Sequence, residues 1–139
     1  MPKTISVVCA AIHHHGRVLI GKRPPGGDFG EKWEFPGGKI EPGERPELAL
    51  VREIREELAL EIRPLHTLGR EVFGGADRVI DLELFWAVPM EPVSNVEARE
   101  HTLLCWADVR NIASFDFALP DVPLLPRVID ALTRKSRLC

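Results

Sequence analysis

Cysteine is scarce in this chain, and the few cysteines present form no recognisable pattern. Cys9, Cys105 and Cys139 lie far apart in the 139 residues. Such an odd and widely spaced set excludes a disulfide framework and does not match the ligand spacing of a zinc knuckle. We expect two buried thiols and one at the frayed C-terminal end, which indicates a reducing, cytoplasmic location.

Long apolar runs and a large excess of charge are also missing. No segment approaches the roughly 18 apolar residues that cross a membrane. The short apolar run at residues 5–12 lacks the basic start and the cleavage site of a signal peptide, so it is predicted to be a strand. A formal net charge of -3 gives no electrostatic footprint for nucleic acid. We therefore expect no membrane and no nucleic acid as a partner.

The composition that remains is that of one ordinary folded domain. Hydrophobic residues make up 45% of the chain and charged residues 28%. The length suits a single domain, residues 1–139, and the sequence contains no repeats or low-complexity tracts. Strand and helix patterns mix without strict alternation. We predict an α/β fold with a mixed β-sheet between helices, as a monomer or a homodimer.

Hydrophobic periodicity and Pro/Gly clusters divide the chain into elements. Helices are predicted over residues 46–58 and 120–137, and apolar residues recur at helical spacing in both. Strands are predicted at residues 5–12, 18–20, 64–72, 79–88 and 103–106, with a brief strand at 33–35. Residues 24–32 and 36–46 are predicted loops. The three histidines at 13–15 are interpreted as a polar hairpin turn, with a metal site as the alternative.

Three glutamates share one face of the first predicted helix. Offsets of three and four residues bring the carboxylates of Glu53, Glu56 and Glu57 together. Many such clusters are only solvated acidic faces. Here a Pro-Gly-Gly segment at residues 36–38 leads towards the same helix, and glycines let the backbone approach a ligand closely. Carboxylates near a backbone carbonyl suit hard cations such as Mg²⁺ or Mn²⁺, so the pattern favours a metal site.

The segment GKIEPGERPELALVREIREELAL, residues 38–60, resembles the Nudix box, G-x5-E-x7-R-E-U-x-E-E-x-G-U, in which U is a bulky aliphatic residue. The matching positions are Gly38, Glu44, Arg52, Glu53, Ile54, Glu56, Glu57 and Leu60. Ala59 stands where the family has glycine, at a left-handed helix end. The flanking sequences WEFPGGKIEPGE, KRP, EH and ALPDVPLL are similar to the MutT-like branch, which includes CTP pyrophosphohydrolases and triphosphatases of oxidised nucleotides.

The resemblance implies an α/β/α sandwich and a metal-dependent hydrolase. The implied reaction converts a nucleoside triphosphate and water to a nucleoside monophosphate and pyrophosphate. A cytosine nucleotide, or a nucleotide with a modified or oxidised base, is the implied substrate. Two alternatives remain open. One is another nucleoside diphosphate derivative, such as a nucleotide sugar or a dinucleotide, and the other is a non-catalytic binding module.

The same resemblance implies which residues bind the metal, Mg²⁺ or Mn²⁺. The ligands it implies are the Gly37 carbonyl and the carboxylates of Glu53, Glu56, Glu57 and Glu100. Either Glu53 or Glu100 would be the general base. Without the resemblance Glu100 is one surface glutamate among many, and Glu97 competes with it. Structural support would come from Gly38, Glu44 and Arg52, where Arg52 can pair with Glu56 or Glu44.

Four residues are implied to bind the substrate, namely Arg23, Glu34, Phe35 and Asp121. Arg23 would contact phosphate or sugar, although a charge at a strand end is the alternative. Phe35 would line the base pocket, while Trp33 is also explained as core. Asp121 would read the base, and an N-cap is the alternative for it. An ionised aspartate only accepts hydrogen bonds, which favours an amino group of cytosine or adenine without excluding guanine.

Overall fold

In the described part of the chain, five apolar or alternating segments and two short segments, β3 and β4, form the strands, and two amphipathic segments form the helices. The computed structural model describes residues 2–138. Its strands are β1 (Lys3–His14), β2 (Arg17–Lys22), β3 (Trp33–Glu34), β4 (Gly37–Lys39), β5 (Ile62–Gly74), β6 (Arg78–Pro89) and β7 (Leu103–Asp108). The helices are α1 (Pro46–Leu58) and α2 (Leu125–Leu138), with short 3-10 turns at Val93–Asn95, Ile112–Ser114 and Val122–Leu124.

The strands make a mixed sheet around β1. β1 runs parallel to β6, in register from Lys3 opposite Arg78 to Ile12 opposite Ala87. β5 pairs antiparallel with β6, and β2 pairs antiparallel with both β3 and β7. A hairpin joins β1 to β2, and β4 adds to β1 in antiparallel fashion. The sheet thus contains both strand orientations, as the sequence predicts.

The core has two layers because side chains alternate across β1. Cys9 and Ala11 belong to a cluster that contains Val128 and Leu132 of α2. Val8, Ala10 and Ile12 belong to a second cluster, which contains Leu50, Ile54 and Leu58 of α1. One helix therefore covers each face of the sheet, and the predicted α/β/α sandwich is confirmed.

The predicted elements agree in kind with the structure, although most strands extend one or more residues beyond the predicted bounds and two other boundaries differ. The helix at 46–58 is confirmed to the residue, and its end at Ala59 is left-handed as expected, with φ 54° and ψ 35°. The histidine segment is confirmed as a hairpin turn, in which His15 and Gly16 both have positive φ.

Two boundaries are wrong. Residues 36–46 are not all loop, because Gly37–Lys39 pairs with Val7–Cys9 as β4. The last helix begins at Leu125 rather than at residue 120. A 3-10 turn at Val122–Leu124 precedes the helix, and Pro126 occupies the first turn of α2, where its missing N–H is tolerated.

The expectation of two buried thiols is confirmed for Cys9 and only in part for Cys105. Cys9 is buried and Cys105 is partly buried, and both are free. Cys139 lies outside the described residues. Within residues 2–138, neither helix has the length and apolar character that crossing a membrane requires.

Candidate active site

Helix α1 carries its three carboxylates at different depths. The Glu56 side chain is 57% exposed and that of Glu53 is 18% exposed, whereas Glu57 is buried. Pro46 occupies the first turn of the helix, where its missing N–H is tolerated. The apolar stripe of Leu50, Ile54 and Leu58 seats α1 on the sheet, so the neighbouring Glu57 is forced inwards with it.

Glu57 is an acid that lacks a partner. Its Oε2 atom is buried and has no hydrogen-bond partner within the described part of the chain. Burial is the largest cause that raises the pKa of Glu57 to about 9, followed by the negative charges of Glu100, Glu34, Glu53 and Glu56 in that order. Such a group needs a positive charge in order to ionise, which fits a divalent cation.

Glu53 lies between an arginine and a glycine. Arg52 Nη1 donates to Glu53 Oε1 across 3.0 Å. On the other side, a Cβ at Gly38 would collide with the Glu53 carboxyl group. Burial raises the pKa of Glu53 despite the opposing hydrogen bond from Arg52. A side chain at position 38 would therefore displace a carboxylate of the cluster.

Arg52 connects the helix to the preceding loop. Its Nε and Nη2 atoms bind the two carboxylate oxygens of Glu44, each at 2.9 Å, and Nη2 also donates to the Lys39 carbonyl at 3.1 Å. These hydrogen bonds lower the pKa of Glu44 to about 2. Glu56 is a more distant partner at 3.7 Å. Of the two partners that the sequence allows, Glu44 is the main one.

A cavity of about 270 Å³ brings most of the predicted site residues together. Its lining includes Arg23, Glu34, Phe35, Gly37, Gly38, Glu57, Glu100 and Asp121. Among the described residues, Glu53 and Glu56 do not line the cavity, but their negative charges raise the pKa of Glu57. The cavity thus has an acidic end at α1 and a second end at Asp121.

Asp121 is held by the backbone rather than capping a helix. Its Oδ2 accepts a hydrogen bond from the Phe35 N–H at 2.9 Å. Asp121 occupies the N-cap position of the 3-10 turn that follows, but in the described structure its side chain makes no capping hydrogen bond, so capping does not explain the carboxyl group. Burial raises the pKa of Asp121 to about 8, which the Phe35 hydrogen bond opposes and the Glu34 charge reinforces. The raised pKa favours the neutral carboxyl group more than in an ordinary aspartate, whereas the sequence suggests an ionised acceptor.

The chain segment before Asp121 is fixed by the strand that carries Trp33. Trp33 N–H donates to the Asp116 carbonyl and Ala118 N–H donates to the Trp33 carbonyl, each at 2.9 Å. The Trp33 ring contacts Phe115 edge-on and packs against the core under α2. Trp33 is therefore core, whereas Phe35 is buried and lines the cavity.

Arg23, Glu34 and His101 form a hydrogen-bonded chain at the cavity wall. Arg23 Nη1 lies 2.9 Å from Glu34 Oε1, and His101 Nε2 lies 2.9 Å from Glu34 Oε2. The Arg23 side chain is 40% exposed, but it is paired with Glu34 and lines the cavity. It is therefore not only an exposed charge at the end of a strand.

The sequence assigns no role to His101, Arg78 or Phe29, although His101 belongs to the quoted EH pair. Arg78 and Phe29 line the cavity from the start of β6 and from the loop at 24–32. Ligand atoms of His101, Glu34 and Glu57 lie within 4.8 Å of one another, so this group is a second candidate for holding a cation. Both Glu34 oxygens already have partners, which favours Glu57 as the free ligand.

Comparisons with known proteins agree with this geometry. Residues 2–128 match the family model described as NUDIX domain. CTP pyrophosphohydrolase of Escherichia coli K12 is 40% identical over 130 residues, which cover 88% of this chain and 90% of that protein. An 8-oxo-dGTP diphosphatase of Haemophilus influenzae is 29% identical over 132 residues, covering 94% of this chain and 96% of that protein.

Two solved structures are similar in fold. The solution structure of the E. coli ORF135 protein has a TM-score of 0.80 and 33% identity, covering 93% of this chain and 91% of that chain. The crystal structure of a MutT protein from Methanosarcina mazei Go1 has a TM-score of 0.78 and 21% identity, covering 97% and 96%. The second likeness concerns the fold alone.

Proposed function

The chain belongs to the NUDIX family, and from this premise we propose that it is a metal-dependent nucleoside triphosphate pyrophosphohydrolase. The substrate is a nucleotide with a cytosine base or with a modified or oxidised base. The observation that carries the proposal is the buried Glu57 carboxyl group, whose Oε2 lacks a partner among the described residues. It lines the same cavity as Asp121, so one ligand reaches both groups.

The residues of α1 suit Mg²⁺ or Mn²⁺. The proposed ligands are the Gly37 carbonyl and the carboxylates of Glu53, Glu56, Glu57 and Glu100, all of them oxygen donors, which hard cations prefer. When bound, the ion neutralises polyphosphate charge and lowers the pKa of a water molecule. The raised pKa of Glu57 and its unpartnered oxygen support this assignment, because an adjacent cation compensates the charge of the ionised form.

The chain's own residues supply the proton acceptor and the substrate contacts. Glu53 or Glu100 takes a proton from the attacking water, whose oxygen forms a bond to phosphorus while a phosphoanhydride P–O bond breaks. The products are a nucleoside monophosphate and pyrophosphate. Arg52 Nη1 donates to Glu53 Oε1, which fixes the position of the Glu53 carboxylate for this proton transfer. Arg23 at the cavity wall binds phosphate or sugar through its guanidinium group.

The base occupies the end of the cavity near Asp121. Phe35 is buried there beside Ala118 and Pro120, which gives an apolar surface for a planar ring. The protonated Asp121 offers a hydrogen-bond donor as well as an acceptor. Its Oδ2 is already bound to the Phe35 N–H, so the other oxygen is available to the base. Because the Asp121 carboxyl group can both donate and accept, this end of the cavity distinguishes bases by the donors and acceptors on their edges.

The remaining parts of the proposal concern the setting of the enzyme. The partner is a small-molecule nucleotide, without a nucleic acid or a membrane. The free Cys9 and Cys105 thiols agree with a cytoplasmic location. Monomer and homodimer both satisfy the proposed site, because all of its residues lie in one chain.

A substrate panel tests the function. Pyrophosphate release is measured for normal, methylated and oxidised nucleoside triphosphates, with nucleotide sugars and dinucleotides in the same assay. We expect the highest kcat/KM with a triphosphate and no turnover after exhaustive chelation. Faster hydrolysis of a sugar or dinucleotide derivative would favour the first alternative. Tight nucleotide binding without turnover of any compound would identify a binding module instead.

A further inference from the structure

We propose that His101 is a positioning residue that fixes the Glu34 carboxylate and, through it, the guanidinium group of Arg23. The inference rests on the proposed function, because it assigns Arg23 to the substrate. His101 is buried. In the described structure it has no hydrogen bond to the glutamates of α1 or to Asp121, and the proposal gives it a role.

The first observation is that each oxygen of Glu34 has one partner. Arg23 Nη1 donates to Oε1 and His101 Nε2 lies on Oε2, both at 2.9 Å. A carboxylate paired with a guanidinium group is an acceptor, so His101 Nε2 carries the proton of this hydrogen bond. Along this series of three hydrogen-bonded side chains, the exposed fraction falls from 40% for Arg23 to 19% for Glu34 and 2% for His101. The histidine is thus the fixed end and the arginine the end that meets a ligand.

The second observation is that β2 leaves space for the histidine ring. Gly21 pairs with Glu34 across β2 and β3. A Cβ at position 21 would lie 2.5 Å from His101 Cδ2 and 2.8 Å from Nε2. Gly21 has no positive φ, so the backbone itself does not require glycine there. The ring position therefore accounts for the glycine.

The third observation is that the backbone beside His101 is tied to the same strand. Thr102 N–H donates to the Lys22 carbonyl at 2.9 Å, and the Thr102 hydroxyl group donates to the same carbonyl at 3.3 Å. Lys22 precedes Arg23 directly in the chain. His101 and Arg23 are thus attached to the same end of β2. This attachment keeps constant the distance between His101 and Arg23, the two partners of Glu34.

A purely space-filling histidine would behave differently from a positioning one. His101→Phe keeps a planar ring over Gly21 but cannot donate to Glu34. His101→Gln loses the ring but keeps an N–H donor on a side chain of similar reach. If the hydrogen bond matters, the phenylalanine variant is the impaired one. If filling space matters, the glutamine variant is the impaired one.

The experiment compares KM, kcat and the Kd of a non-hydrolysable nucleotide for both variants. We expect His101→Phe to raise KM and Kd about tenfold, as losing a hydrogen bond to a charged group does, with a smaller change in kcat. His101→Gln should stay within about threefold of wild type, since the hydrogen bond to Glu34 persists. His66→Phe, which changes an exposed histidine of β5, is the matched control and should leave all three values unchanged.

Two further measurements separate the explanations. In a Glu34→Gln background, His101→Phe should add little to the loss, because both changes break the same chain. Mn²⁺ binding followed by electron paramagnetic resonance should be equal in wild type and His101→Gln. Weaker Mn²⁺ binding in His101→Gln would show that His101 is a metal ligand and would overturn the proposal, as would equal or reversed ranking of the two variants.

Misfolding and failure of the proposed function give distinct results. If thermal melting shows that His101→Phe does not fold, Gly21→Ala replaces it, because the added methyl group displaces the ring while His101 remains. Gly21→Ala should then raise the nucleotide Kd about tenfold, as the phenylalanine change does, and an unchanged Kd overturns the proposal. If wild type binds the nucleotide without hydrolysing any, the proposed function fails, whereas the Kd ranking still decides the role of His101.

Discussion

The carboxyl group of Asp121 accepts a hydrogen bond from the backbone N–H of Phe35 at 2.9 Å, although 86 positions separate the two residues. This bond joins the end of β3 to the segment before α2 and places both residues at one end of the cavity. Asp121 is buried, and its pKa is raised to about 8, so its protonation changes close to neutral pH. On the proposed function, a base bound beside Phe35 would therefore meet a group that can donate or accept.

Replacing Asp121 by asparagine should change base preference more than stability. Asparagine can still accept from the Phe35 N–H, so the melting temperature should move little. The changed donor and acceptor pattern should lower kcat/KM for the preferred base by roughly 1–3 kcal/mol in transition-state binding. The measurement is kcat/KM for several triphosphates with both proteins. An unchanged specificity profile would place base reading elsewhere in the cavity.

The base preference of the wild type should depend on pH. Below about 8 the folded Asp121 is mainly neutral and offers a donor, and above it the ionised form only accepts. Raising the pH should therefore favour bases that present an amino group. The appropriate measurement is the ratio of kcat/KM for two triphosphates. Both substrates use the same metal ligands, so the effects of pH on those ligands cancel in the ratio. In Asp121→Asn the ratio should be constant between pH 7 and 9.

Glu57 should make the metal-free protein less stable as the pH rises. Its folded pKa is about 9, above the ordinary value of 4.5, so the folded state holds the proton more tightly than the unfolded state. The contribution is fully present below pH 4.5 and is lost as the pH rises through about 9. Glu57→Gln stays neutral, and its melting temperature should fall less over this range.

The same variant separates stability from catalysis. Glu57→Gln should fold and yet lose most of its activity, because it resembles the protonated Glu57 of the metal-free protein in size and charge but cannot become the anionic ligand. Mg²⁺ should raise the melting temperature of wild type more than that of the variant, since a ligand that binds only the folded state stabilises it. Turnover close to wild type would rule out the assigned role of Glu57.

Arg52→Lys should weaken metal binding without unfolding the chain. Lysine cannot form the two-pronged contact with Glu44 or keep the hydrogen bond to the Lys39 carbonyl. We expect a loss of about tenfold in Mn²⁺ affinity and a corresponding fall in kcat at limiting metal. Arg55→Lys is the matched control on the same helix, because Arg55 binds Glu61 in an exposed contact. Equal effects of the two variants would indicate a general effect on α1.

Ala59→Gly should stabilise the protein. Ala59 adopts φ 54°, where glycine has no Cβ penalty, and its N–H caps the helix through the Arg55 carbonyl at 3.1 Å. The expected gain is up to about 1 kcal/mol, or a few degrees in melting temperature. Gly43→Ala is the reverse control, since Gly43 has φ 77° with open space around it and should lose a similar amount. A lower melting temperature for Ala59→Gly would contradict the expectation.

The sequence predicts the elements whose cause is local and misses those that depend on distant contacts. Periodicity predicts α1 to the residue, and the position of Arg52 predicts a pairing with Glu56 or Glu44, of which Glu44 is the main partner. The depth of Glu57 compared with Glu56 follows from how α1 packs on the sheet. His101 is missed because its partner, Glu34, is 67 positions away.

Strand β4 illustrates why a glycine pair can mislead. Glycines usually weaken a strand, so residues 36–46 suggest only a loop. In the structure a Cβ at Gly37 would collide with the Val8 carbonyl of β1, the strand with which β4 pairs. The close approach of the two backbones therefore requires glycine. Composition alone cannot distinguish this use from a flexible turn.

The two ends of the cavity come from separate parts of the chain. The acidic end depends on residues 37–57 and on Glu100, whereas residues 116–121 reach the other end through their pairing with Trp33. On the proposed function, mutations in the later segment change the choice of nucleotide without altering a carboxylate of α1. Descendants of one ancestral gene can thus diverge in the nucleotides they remove while inheriting the same hydrolytic chemistry.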